Sequence, residues 1–138
     1  MPNEPTTPGD TVLIINTSPD TVEMLKDALE RAGFLVASLF TWEVQDGSVN
    51  LEAMLHTHQP KVIVYDIAPP YDRNWKFLQH LRAGLLKGHR FVLTSVNTKH
   101  VEELVGRDEQ IYEVVGTPHD LNEIVRATKE AARARSTR

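Results

Sequence analysis

The ten residues Lys61 to Pro70, KVIVYDIAPP, restrict the fold more than any other stretch of this chain. Val62, Ile63 and Val64 form a continuous apolar run, the pattern of a strand buried on both faces of a parallel sheet. The run ends in a carboxylate, Asp66, and Pro69-Pro70 turn the chain. In open α/β sheets the carboxyl ends of the central strands line the ligand crevice, so an acid placed there is a candidate site residue.

The rest of the sequence repeats the theme. Val12 to Ile15 reads as a first strand with Asn16-Thr17 at its end, followed by a helix with Ser18 as N-cap and Pro19 in its first turn. Val22, Leu25, Leu29 and Ala32 share one face of that helix, and Gly33 closes it. Phe34 to Phe40 is a second strand, and Thr41 to Val49 a polar loop in which Trp42 has no assigned role. Asn50 caps a short helix that ends before Pro60. After the central strand, Asn74 is a cap or turn residue ahead of a helix burying Phe77, Leu78 and Leu81. Arg90 to Ser95 forms a fourth strand ending in Thr94 and Ser95, and Val101, Leu104 and Val105 mark a fourth helix. Ile111 to Val115 is the fifth strand, broken by Gly116-Thr117-Pro118. Asp120 and Glu123 form a capping box for a fifth helix, whose apolar spacing dissolves after Thr128.

Five strands alternating with five helices predict an α/β fold: a doubly wound, five-stranded parallel sheet with helices on both faces. The flavodoxin-like order 2-1-3-4-5 would bring Asn16, Thr17, Asp66, Thr94 and Thr117 to one rim. Residues 1–10, with Pro2, Pro5 and Pro8, are expected to be a disordered tail. Residues 11–128 form the domain, and 129–138 a solvated helical extension.

With 138 residues, 41% hydrophobic and 25% charged, the chain amounts to one domain. It has no cysteine, which rules out disulfides and thiolate metal sites. No apolar run approaches a membrane span and no signal peptide is recognisable, so the expectation is a cytoplasmic protein that does not engage a membrane. A net charge of -4, with basic residues clustered only between Arg126 and Arg138, argues against nucleic acid. His56 and His58 lie two apart, off a common helix face, and read as surface residues rather than metal ligands. His119 reads as a turn residue. No phosphate-binding glycine loop or nucleophile motif is present, so no independent enzyme is expected. Thr17, Ser18 and Thr21 surround a helix start, which leaves a flavodoxin-like small-anion or nucleotide site as an alternative.

From Val12 to Val125 the sequence resembles the receiver domain of bacterial response regulators, the CheY-like family of two-component phosphorelays. The resemblance rests on the strand ending in Asp66 with I-A-P-P after it, on Leu93-Thr94-Ser95, and on Thr117-Pro118 after strand five. It implies that Asp66 matches the phosphoacceptor, that Thr94 matches the hydroxyl contacting the phosphoryl group, and that the Ala68 carbonyl matches a Mg²⁺ ligand. It also implies a cis Thr117-Pro118 peptide. The chain departs from the pattern where chemistry is done. Asn16 and Thr17 replace the acidic pair, Thr117 replaces the lysine, and Val114 replaces the switch aromatic. Asp20 and Asp72 are the other carboxylates near enough in sequence to substitute as ligands, and Asp20 already suits a helix N-terminus.

Phosphoryl transfer relies on Mg²⁺ and fixed positive charge to neutralise the phosphoryl oxygens. The sequence therefore predicts a degenerate pocket (Asn16, Thr17, Asp66, Ala68, Thr94, Thr117, Pro118) that holds neither metal nor cofactor. The expected function is that of a pseudo-receiver acting by protein-protein interaction. Its partner would be a signalling protein or a second copy, docked on the face of helix 4, strand 5 and helix 5 and on the basic segment from Arg126. A receiver still phosphorylated on Asp66 is the alternative within the family.

Overall fold

The computed structural model describes residues 9–108, 110–116 and 121–133. The expected N-terminal tail, apart from Gly9 and Asp10, lies outside these residues, as do Thr117, Pro118, His119 and Asp120. The elements run β1 (Thr11–Asn16), α1 (Pro19–Arg31), β2 (Leu35–Phe40), α2 (Thr41–Gln45), α3 (Leu51–His58), β3 (Val62–Asp66), α4 (Tyr71–Ala83), β4 (Arg90–Ser95), α5 (Thr98–Val105), β5 (Ile111–Gly116) and α6 (Leu121–Arg133). All four strand pairings are parallel and the order is β2-β1-β3-β4-β5, as the sequence predicts.

Period-two alternation along the central strands sorts their side chains into two cores. Val12, Ile14, Val62, Val64, Val92 and Val115 face α1 and α6, where they meet Leu25, Leu29, Ile124 and Ala127. Leu13, Ile15, Ile63, Tyr65, Phe91 and Leu93 face α3, α4 and α5. β1, β3 and β4 are buried on both sides, which is why they read as unbroken apolar runs.

Local signals end α1 as expected. Ser18 Oγ accepts from Thr21 N at 3.2 Å. At the other end Gly33, at φ 104°, lets Gly33 N reach Glu30 O and Phe34 N reach Leu29 O. This is a Schellman closure, and Leu29 and Phe34 share the same core. Asn50 caps α3 through Ala53 N, and Asn97 caps α5 through His100 N.

Three local expectations are corrected. Thr41–Gln45 is a short helix rather than loop, held at its start by Glu43 Oε1 accepting from Phe40 N at 2.8 Å. Five residues are too few to show a helical period in sequence. Asn74 is not the cap of α4. The helix starts at Tyr71 with Pro70 before it, and the Asn74 side chain turns back onto the loop. Finally, α6 remains core beyond Thr128. Ala131 and Ala132 are buried, and Arg90 Nη1 donates to Ala131 O at 3.0 Å. Small side chains carry little hydrophobic signal, yet they allow the helix to lie close against the sheet.

Trp75 on α4 belongs to the core, with the Arg82 guanidinium 5.9 Å from its ring centroid and 5.6 Å from that of Phe91. Arg82 in turn pairs with Asp108 at 2.8 Å, tying α4 to the approach to β5.

Candidate functional site

The site is assembled at the carboxyl ends of β1, β3 and β4. Parallel pairing places Asp66 opposite Thr94, and Thr94 Oγ1 donates to Asp66 Oδ1 at 2.7 Å. Thr94 is fully buried while Asp66 is half-buried. The adjacent Ser95 hydroxyl donates to Ile67 O at 2.9 Å and accepts from Asn97 N at 3.2 Å, which secures the turn beside the acid.

Asn16 and Ala68 reach the same rim with their oxygens engaged. Asn16 is buried, and its Oδ1 accepts from Ser18 N at 3.0 Å. Ala68 O accepts from Asn74 Nδ2 at 2.6 Å. Thr17 is exposed and lines both hollows that open beside Asp66. The smaller, about 190 Å³, lies over the β1–α1 turn and includes Ser18, Thr21 and Val96. The larger, about 330 Å³, lies between α2 and the start of α4. Thr117 and Pro118 fall outside the described residues. The described cis peptide joins Pro69 and Pro70.

A Mg²⁺ ion is the group that a receiver-like rim implies, and the donor set does not fit it. A hard cation needs several oxygens converging on one point. Asp66 is the carboxylate of this rim, the Asn16 oxygen is turned to the α1 cap, and the Ala68 carbonyl holds Asn74. Neither proposed substitute supplies the missing charge. Asp72 Oδ1 sits 2.9 Å from His100 Nε2, and Asp20 is exposed in the first turn of α1. Among the described residues no three His, Cys, Asp or Glu side chains are grouped to hold a metal ion. The anion alternative at Thr17, Ser18 and Thr21 is weakened by the cap itself, since Ser18 Oγ already takes the Thr21 N–H.

Tyr65, buried next to Asp66, has its phenol pushed well above the ordinary tyrosine value, first by burial and then by the Asp66 charge. Val114 is half-buried, pairs with Leu93 and packs against the α3–α5 side of the sheet. On the opposite side of β5, Arg126 is a hub rather than a free cation. It reaches Glu113 at 2.7 Å, Glu123 at 2.8 Å and Glu130 at 3.0 Å, and Tyr112 Oη donates to Glu130 at 2.8 Å. The basic segment expected from Arg126 is therefore neutralised where it begins.

Sequence reasoning did not identify Thr41, Trp42 or Arg73, which line the larger hollow with Asp66. Trp42 and Arg73 had usable signals, since they follow the carboxyl ends of β2 and β3, where this topology keeps its sites. A more voluminous hollow, about 690 Å³, is at the other end of the sheet near Pro60 and His89, away from this chemistry.

No protein-family model matches the sequence, and no curated protein matches it. Solved structures do. A response regulator from Thermotoga maritima superposes with a TM-score of 0.63 at 15% identity, over 91% of this chain and 99% of that one. A sensor protein from Polaromonas sp. JS666 gives 0.65 at 18% identity, over 91% and 98%. The chemotaxis protein CheY4 of Vibrio cholerae gives 0.63 at 18% identity, over 89% and 98%. At these identities the likeness is one of fold, and the chain has the CheY-like receiver fold.

Proposed function

We propose that this chain is a receiver-type signalling module that works by protein-protein contact, without Mg²⁺-dependent phosphorylation of Asp66. One observation carries the reading: the Asn16 and Ala68 oxygens that would have to join Asp66 around a cation are hydrogen-bonded within the chain. The Asp66–Thr94 bond points the same way. In receivers a phosphoryl group draws the hydroxyl at this position inward, whereas Thr94 already donates to Asp66. A ligand shifts a conformational equilibrium only through differential affinity for its states, and here little is left for a phosphoryl group to change. The surface of α5, β5 and α6 is then a standing docking face for another signalling protein or a second copy. Incubation with acetyl phosphate and Mg²⁺, followed by intact-mass measurement, is expected to leave the chain unmodified. A phosphoryl adduct present in the wild type and absent from Asp66→Asn would instead establish a phosphorylated receiver.

A further inference from the structure

The larger hollow beside Asp66 joins part of the receiver-like rim to groups from α2 and α4. At about 330 Å³ it is at the small end of the range for ligand pockets, roughly 300–1,000 Å³. Its wall on one side is Trp42, which is 54% exposed although tryptophan is normally well buried. Phe40 stacks with the indole, ring centroids 6.2 Å apart and interplanar angle 8°. Pro69 and Pro70 add a rigid apolar edge.

Opposite charges are held within the same hollow. Asp66 lies at the end of β3, and a carboxylate can accept at about four positions, Thr94 being one donor. Arg73 stands in the first turn of α4, exposed, with no hydrogen bond or ion pair among the described residues. Two other arginines are engaged, Arg82 by Asp108 and Arg126 by three glutamates. Thr41, the first residue of α2, also lines the hollow. It is only 6% exposed, and its hydroxyl has no partner among the described residues.

A ligand matching this arrangement carries a cation and an anion close together beside an apolar group. We propose that the cleft between α2 and the start of α4 binds a free α-amino acid with an apolar side chain. Arg73 takes the carboxylate, Asp66 the ammonium, and Trp42 with Pro69-Pro70 the side chain. The site would give the protein-binding module a small-molecule input at the rim where its relatives in fold carry the phosphoacceptor. It rests on the reading that Asp66 stays an unmodified carboxylate, which the acetyl phosphate experiment tests separately from amino-acid binding.

The test is titration of the ¹⁵N-labelled full chain with L-phenylalanine and L-leucine, each to about 10 mM, following the Trp42 indole and Arg73 amide signals by NMR. Saturable shifts are expected with at least one of them. N-acetyl-L-phenylalanine, which lacks the ammonium, and L-phenylalaninamide, which lacks the carboxylate, are each expected to bind at least about tenfold more weakly than L-phenylalanine. Arg73→Gln, at an exposed position where folding is not at stake, should lose a similar factor for the parent amino acid. The proposal is overturned by the absence of saturable shifts with both amino acids. It is equally overturned if either derivative binds as tightly as its parent, or if Arg73→Gln binds like the wild type.

Discussion

Thr94 and Asp66 form the contact on which the rim depends. The hydroxyl is fully buried and its acceptor is a carboxylate, so the bond belongs to the stronger class in proteins. Replacing Thr94 by Val preserves shape but leaves Asp66 without that donor, and the expected destabilisation is about 1.5–3 kcal/mol. Urea unfolding of Thr94→Val, Asp66→Ala and the double variant measures it. The two substitutions should be clearly less than additive, because each removes the same bond. Strict additivity would mean that the pair contributes nothing jointly. Both residues were legible in the sequence for one reason: each ends an apolar strand, and parallel topology sends such ends to one rim. Thr41, Trp42 and Arg73 were not legible as a group. They come from α2 and α4, and only the packing of β2 beside β1 brings these two helices to opposite walls of one cleft.

At the level of elements, β1, β3 and β4 could be read almost to the residue because burial on both faces writes them as uninterrupted apolar runs. The helices were read less well at their ends. α2 is shorter than two turns, and α6 continues on alanines whose contribution is to fit closely rather than to be strongly apolar. α6 is also held to β5 by the cluster of Arg126, Glu113, Glu123, Glu130 and Tyr112, and this attachment is pH-dependent. The Glu130 carboxyl lies below its ordinary value, chiefly because it accepts from the Tyr112 hydroxyl and then through Arg126. A carboxyl whose folded value is depressed adds stability that is fully present above its ordinary value, near 4.5, and is lost as the pH falls through the folded value. Melting temperatures of the wild type and Glu130→Gln should therefore differ most near neutrality, the wild type being higher, and converge on acidification. A difference that persisted or widened in acid would show that Glu130 acts through something other than its charged form. The cluster is solvent-exposed, so the gap should also narrow in high salt.

For the molecule as a whole, the question is whether the α5–β5–α6 face answers to the Asp66 rim. In a switching receiver the two are coupled through the hydroxyl at Thr94 and an aromatic ring on β5. Here the hydroxyl is already bonded to Asp66, and the β5 position is Val114, too small to swing between an inward and an outward pose. On the proposed reading the face lacks that coupling and should bind with the same affinity whatever the state of the rim. Its own chemistry is also changed from the simple basic patch that the sequence suggests. Reversing Arg126 would break three intramolecular ion pairs and disturb α6 itself, so a loss of binding in that variant would say nothing specific about docking. Lys129, with no ion pair among the described residues, is the better probe. Self-association is read by static light scattering across a concentration series, and hetero-association by calorimetry against a partner once one is in hand. Lys129→Glu is expected to weaken association several-fold, as reversing a charge at an interface does, while Asp66→Asn leaves it unchanged. If Asp66→Asn abolished association and Lys129→Glu had no effect, the rim would control the face after all, and the chain would be a switch rather than a standing platform.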